Sequence, residues 1–190
     1  MKGNHQQSSV LSALSKEHLV PIASIDAICA DFVGKQKPFI RFLVEDKKFD
    51  GKKIAHILAN KFGYPYIQLS NFDTTLVPEG VRNEKLITKH NALPLFLRGK
   101  VLFVAMSDPT NLDALEEIQF NTGYSTELVL TDEHGLQNCI EKVLEDESDA
   151  LDITDIDSEE LSGLEVQEEK QDDDAGNGED DAPIVVFINK

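Results

Sequence analysis

Tryptophan is missing from this 190-residue chain and cysteine occurs twice. No apolar run approaches the ~20 residues a helix needs to cross a bilayer, so no membrane insertion is expected. The two thiols, Cys29 and Cys139, cannot build a disulfide framework and read as small buried hydrophobes in a reducing compartment. The opening residues, MKGNHQQSS, hold no hydrophobic signal region, which points away from secretion and toward a cytoplasmic protein. Basic residues are scarce, with 18 Lys and Arg against 35 Asp and Glu, a net charge of −17. That surplus argues against a nucleic-acid partner. The lysines gather only as Lys47, Lys48, Lys52 and Lys53, which fits either a solvated helix face or the seat of an anionic partner.

Catalytic signatures are also missing. A phosphate-binding loop needs Ser or Thr after its Gly-Lys pair to hold magnesium. The three Gly-Lys pairs here, at Gly34, Gly51 and Gly99, are followed by Gln36, Lys53 and Val101. The five histidines (His5, His18, His56, His90, His134) show no metal-ligand spacing. The acidic stretch Asp152–Asp157 resembles a calcium loop only superficially, because the glycine at the sixth loop position is absent. No nucleophile stands beside a base. Asp108-Pro109 follows an apolar run and suits a turn and helix start, or a ligand loop at the end of a strand. The sequence therefore predicts a non-catalytic piece with no cofactor and no metal.

What is present is unevenly distributed. Residues 145–181 carry 18 acids, one lysine and no aromatic, which leaves 17 acids and 17 bases elsewhere. Such a segment cannot bury enough apolar surface to offset chain entropy of ~1–2 kcal/mol per residue. Residues 146–181 are expected to be a disordered acidic linker. Leu151, Ile153, Ile156, Leu161, Leu164 and Val166 offer a transient amphipathic helix within it. The apolar run Ile184–Ile188 after it reads as an element cut short, so a further domain is expected beyond Lys190.

The first 64 residues hold an internal repeat offset by 29. Val10, Leu11, Ala13, Leu14, Val20, Ile25, Ile28 and Cys29 return as Phe39, Ile40, Phe42, Leu43, Phe49, Ile54, Ile57 and Leu58. Within each copy the apolar spacing is three and four, so each copy predicts a helical hairpin. Pro38 opens the third helix, Asp50 caps the fourth, and Gly63 with Pro65 ends it. Residues 66–77 form a crossing segment, and 78–90 a short helix or two turns with Val81, Leu86 and Ile87 inward. From Ala92 the pattern changes. Leu93–Leu97 and Val101–Met106 flank Arg98-Gly99-Lys100 as a strand hairpin, the second strand buried on both faces. A helix capped by Thr110 or Asn111 follows, with Leu112, Leu115 and Ile118 on one face. Ser125–Thr131 is a third strand, and Asp132 caps a last helix bearing Leu136, Cys139, Ile140, Val143 and Leu144. The fold class is α+β: a helical part over 1–64, a small β-β-α-β-α sheet over 65–145, the linker over 146–181, and a truncated start of another module over 182–190. A globular part on a flexible tether suits docking.

The strings FGYPYIQL, KLITKHNALPLF, VLFVAMSDPTNLDALEEI and DAPIVVFINK resemble the N-terminal region of the PilB-type ATPases that drive type IV pilus extension. That family includes the ATPases of type II secretion. The resemblance implies a regulatory docking domain of a homohexameric motor at the cytoplasmic face of the inner membrane. Its ATP and magnesium would bind in a module beyond Lys190, and this chain alone would be a monomer. Implied partners are a PilZ-type regulator, inner-membrane assembly platform proteins and the motor's own ATPase module. An alternative is docking to a type II secretion platform. Another is sensing of cyclic di-GMP, which some relatives bind through a repeated R-L-G-x-x-L-V-x-x-G-x-I motif. Here Ser9-Val10-Leu11 and Pro38-Phe39-Ile40 stand at the R-L-G positions, and His18 and Lys47 at the later glycine. The arginine that would stack on guanine and pair with phosphate is missing from both copies, so loss of nucleotide binding is expected. Phe32, Phe39, Phe42 and Phe49 are numerous for so short a helical part. They read as core, or, where exposed, as aromatic partner-binding residues.

Overall fold

The computed structural model describes residues 2–145. The expected linker over 146–181 and the apolar run at 182–190 lie outside the described residues. Four helices open the fold: α1 (Lys2–Lys16), α2 (Ile25–Phe32), α3 (Phe39–Glu45) and α4 (Gly51–Phe62). The first expected hairpin forms, α1 packing against α2; α1 also packs against α4, and α3 and α4 join the same buried cluster. Of the sixteen repeat positions, all but Ile25, Cys29, Phe49 and Ile57 are buried, and those four pack against the same core. The caps of α4 follow the sequence, whereas Asn111, at the N-cap of α6, makes no capping bond with its side chain. Asp50 accepts the amides of Lys52 and Lys53 at 3.0 and 3.2 Å, and Gly63 closes α4 in the left-handed region at φ 77°.

The turns within the two repeats differ by one residue. His18 takes a left-handed φ of 58° in the first, where a glycine would sit without strain. In the second copy the left-handed residue is Lys48, φ 61°, one past Lys47, which stands at the corresponding motif position. The extra residue arises because Asp46 and Lys47 both donate to the Phe42 carbonyl, which winds α3 on before the chain turns.

Beyond Gly63, Tyr66 bridges in parallel to Leu130, so the crossing segment extends the edge of a sheet that its sequence does not announce. Two single 3-10 turns, Thr74–Leu76 and Glu79–Val81, lead to α5 (Glu84–His90). The sheet comprises β1 (Ala92–Arg98), β2 (Val101–Met106) and β3 (Ser125–Leu130), in that spatial order. β1 and β2 are antiparallel, with an irregularity between Pro94 and Phe96. Proline has no N–H for a ladder, and β1 is an edge strand where this is tolerated. β3 lies parallel to β2, connected by α6 (Leu112–Thr122). A last helix, α7, covers residues 133–145.

The sheet separates two apolar layers. One side packs Leu102, Val104 and Met106 with α6 and with the helical half. The other packs Leu93, Leu95 and Ala105 against Leu136, Cys139, Ile140 and Val143 of α7. β2 is therefore covered on both faces at its carboxyl end, while Val101 and Phe103 keep some exposure. The inward face of α6 differs from expectation. Ala114 and Ile118 are buried, whereas Leu112 is 50% exposed. Steps of three residues drift by about 60° each on an α-helix, so Leu112 lies about 120° from Ile118. Phe120 on the same helix is 89% exposed.

Candidate functional site

The carboxyl end of β2 delivers Met106, Ser107 and Asp108 to a cleft between the helical half and the sheet. Gln6 and Gln7 of α1, Phe32 at the end of α2, and Lys37, Pro38 and Phe39 at the start of α3 form the opposite wall. His90 and Asn91 close one end, and the cavity measures about 230 Å³. Gln6 spans it, donating to the Thr110 carbonyl at 3.0 Å. Asp108 shapes the loop after β2 by accepting the Thr110 amide at 2.9 Å and its hydroxyl at 2.6 Å. Burial pushes the Asp108 carboxyl above its ordinary value, against the pull of those two bonds. Asp108-Pro109 thus makes the expected turn, and it also lines a cavity.

Below the cleft lies a polar cluster that ties the two halves together. Glu133, 1% exposed at the start of α7, accepts from Arg41 Nε of α3 at 2.9 Å and from Asn91 Nδ2 at 3.1 Å. The Ser107 hydroxyl donates to its other oxygen at 2.5 Å. Asn91 Oδ1 accepts from Arg41 at 3.0 Å and from Gln137. A buried carboxylate is tolerated only when paired and hydrogen-bonded, and Glu133 meets both conditions. None of these residues stood out in the sequence. Arg41 and Glu133 are 92 positions apart, and a glutamate after an N-cap aspartate looks like an ordinary first-turn acid. The one local hint is Asn91, whose left-handed φ of 51° suits an asparagine that ends α5.

The four phenylalanines fall into two groups. Phe32 meets Phe39 edge-on at 4.9 Å and Phe42 tilted at 5.3 Å, and Phe39 and Phe42 stack at 6.3 Å. Phe42 is 1% exposed, so the expectation that it could meet a partner is corrected: its ring is inside the helical core, below the Lys35 and Lys47 ammonium groups at 5.9 and 5.6 Å. Phe39 is also buried, yet it and Phe32 wall the cleft. Phe49 lies apart, half-buried beside the α4 N-terminus, and lines a different hollow. Both thiols, Cys29 and Cys139, are pushed up by burial, the opposite of an activated nucleophile.

Residues 62–150 match the MshEN domain. The chain is 36% identical over 153 residues to the type IV pilus assembly ATPase PilB of Pseudomonas aeruginosa, covering 80% of this chain and 27% of that protein. It is 33% identical over 159 residues to PilB of Acinetobacter baylyi, covering 82% and 27%. The chain thus spans about a quarter of the length of these relatives. Among solved structures, MshE with cdg superposes with a TM-score of 0.55 at 23% identity, covering 70% of this chain and 97% of that one. The N-terminal domain of XpsE gives 0.58 at 14% identity, covering 72% and 94%. These two likenesses establish the fold.

Proposed function

We propose that this chain is an MshEN-type N-terminal region of a PilB-type pilus assembly ATPase, on its match over residues 62–150 and its similarity to three such ATPases, and that it is the regulatory, protein-docking part of a hexameric motor that assembles pili. The observation that carries this reading is the 36% identity to a pilus assembly ATPase across 80% of the chain. ATP hydrolysis belongs, on this reading, to a module outside this sequence, and the region itself performs no chemistry. Its partners are a PilZ-type regulator, the inner-membrane assembly platform and the motor's own ATPase module. It works at the cytoplasmic face of the inner membrane. Among the described residues no helix is long and apolar enough to cross a membrane, which fits a domain that docks to membrane proteins rather than inserting beside them.

One feature favours protein docking over nucleotide sensing: the motif arginines are replaced by Ser9 and Pro38. What the cleft offers is the ring edges of Phe32 and Phe39 with amides and carboxamides around them, the mixture that makes an aromatic contact point in a protein interface. Titrating the isotopically labelled chain with the PilZ-type regulator from the same cell tests this. Discrete amide shifts around Gln7, Phe32 and Phe39 are expected, and Phe32→Ser should weaken binding about tenfold with circular dichroism unchanged. No shift at high regulator concentration would remove that partner. A shift of the same amides on adding cyclic di-GMP alone would favour the sensor instead.

A further inference from the structure

A second groove lies on the flank of the same body, away from the cleft. Its walls are the turn before α4 and the first turn of that helix, residues 68–72 with the turn that the Phe72 amide closes on the Leu69 carbonyl, and the first half of α7. Two hollows of about 380 and 290 Å³ join there and share Lys52, Asp132 and His134. The floor is apolar: Val44, Leu69 and Cys139 are buried, and Phe49 and Phe72 are half-buried. The rim is cationic, with Lys48, Lys52 and Lys142 all exposed.

Among the described residues six Lys and Arg side chains are tied to acids, and these three lysines are not among them. Lys35, Lys37, Arg41, Lys47, Lys61 and Lys89 each hold a carboxylate within ion-pair distance. Among the described residues Lys48, Lys52 and Lys142 hold none. The two acids in the groove are already committed. Asp50 accepts the first amides of α4, and Asp132 accepts the Gly135 amide at the start of α7. That commitment also separates the candidate ligands. A phosphate would be held by free amides at a helix N-terminus, and both N-termini here are occupied by the protein's own carboxylates. The three ammonium groups, by contrast, stand over an apolar floor with no carboxylate within ion-pair distance, and they outnumber the two acids that line the same hollows. Beside them Gln68 is an exposed residue, two past the Tyr66 bridge, whose main chain makes no hydrogen bond to a described residue.

We propose that this groove binds an acidic peptide segment of a protein partner, with apolar side chains on Val44, Leu69 and Cys139, carboxylates on Lys48, Lys52 and Lys142, and main-chain pairing at Gln68. The occupant is an extended strand in which acids alternate with aliphatic residues, because alternate side chains of a strand face opposite ways. The inference does not depend on the pilus reading, since it uses only charge, floor and exposed backbone.

The test uses the whole chain, isotopically labelled, and a short acetylated peptide alternating glutamate with leucine or valine. Controls are the same peptide with glutamine for glutamate, and inorganic phosphate. The expected result is amide shifts confined to Lys48–Lys53, Gln68–Phe72 and His134–Lys142 that weaken as salt is raised. The double variant Lys52→Glu/Lys142→Glu should bind about tenfold more weakly, and Lys52→Gln/Lys142→Gln serves as a milder second variant if the first fails to fold. Absence of shifts would overturn the proposal. So would equal binding of the glutamine peptide, an equal response to phosphate alone, or shifts at the Phe32–Phe39 cleft instead.

Discussion

Asp108 is the residue whose chemistry departs furthest from its sequence. As the first residue of an Asp-Pro turn it reads as a local cap, and it does cap, taking both Thr110 donors on one oxygen. Its half-buried place in the cleft wall is what the sequence conceals, and the loss of water there raises the carboxyl above its ordinary value of 3.8. The folded protein therefore holds this proton more tightly than the unfolded chain. The stability linked to that proton is complete below the ordinary value and is lost as pH rises through the folded one. Asparagine keeps the accepting oxygen and cannot ionise. Asp108→Asn should thus gain on the parent chain as pH rises from about 4 toward 7, when urea unfolding of both is compared across that range. A difference that stays constant with pH would mean that the carboxyl is not raised. Other acids cancel in the comparison, including Glu117, which hydrogen bonds from Lys89 and His90 hold below the ordinary value.

Elements were legible wherever the signal was local. Asp50, Gly63 and Asp132 mark helix ends by chemistry that acts within a few residues, and the structure uses each of them in that way. The repeat was legible for the same reason, because a stripe at three- and four-residue spacing has one way to be buried. Failures came where a second element decides the outcome. Tyr66 has no period of its own and becomes strand-like only because Leu130 lies beside it. Leu112 has the right spacing to Leu115, but the sheet receives the stripe of Ala114 and Ile118. The Glu133 cluster is assembled from α3, the α5–β1 turn, β2 and α7, so no window of sequence contains it. The cleft's Phe32 and Phe39 were legible as aromatics, but their split between core and cavity wall was not.

The repeat turns carry a prediction at this scale. His18 is exposed and sits in the left-handed region, where a side chain costs about 1–2 kcal/mol. Glycine removes that cost but adds freedom to the unfolded chain. His18→Gly should therefore stabilise by up to about 1 kcal/mol, whereas His18→Val should destabilise by about 1 kcal/mol or more. Thermal or urea unfolding reads both signs. Loss of stability in the glycine variant would show that contacts of the imidazole outweigh the backbone term.

At the scale of the molecule, the division expected near residue 64 separates two architectures but not two cores. Leu11, Leu14, Ile54 and Leu58 of the helical half belong to the same buried cluster as Leu102, Val104, Leu128 and Leu130 of the sheet. Arg41 adds a charged tie from α3 to Glu133 of α7. Splitting the halves would expose one face of β2 and β3 and strand a buried carboxylate, so neither half has a reason to open alone. The slowest amides of α4 and of β2, Leu58 and Val104, should then exchange with the same opening free energy, that of global unfolding. Ile54 is fully buried in the shared cluster, and Ile54→Val should remove about 1 kcal/mol. If the body is one cooperative unit, native-state hydrogen exchange will show that loss equally at Leu58 and at Val104. If the halves are independent, Leu58 will lose protection while Val104 keeps it. The cleft and the flanking groove would then lie between parts that move separately, and docking at either would have to bring those parts together. With one unit, both surfaces are preformed, and a partner at the cleft meets a rigid wall whose Phe32 and Phe39 edges are fixed by the same packing that stabilises the sheet.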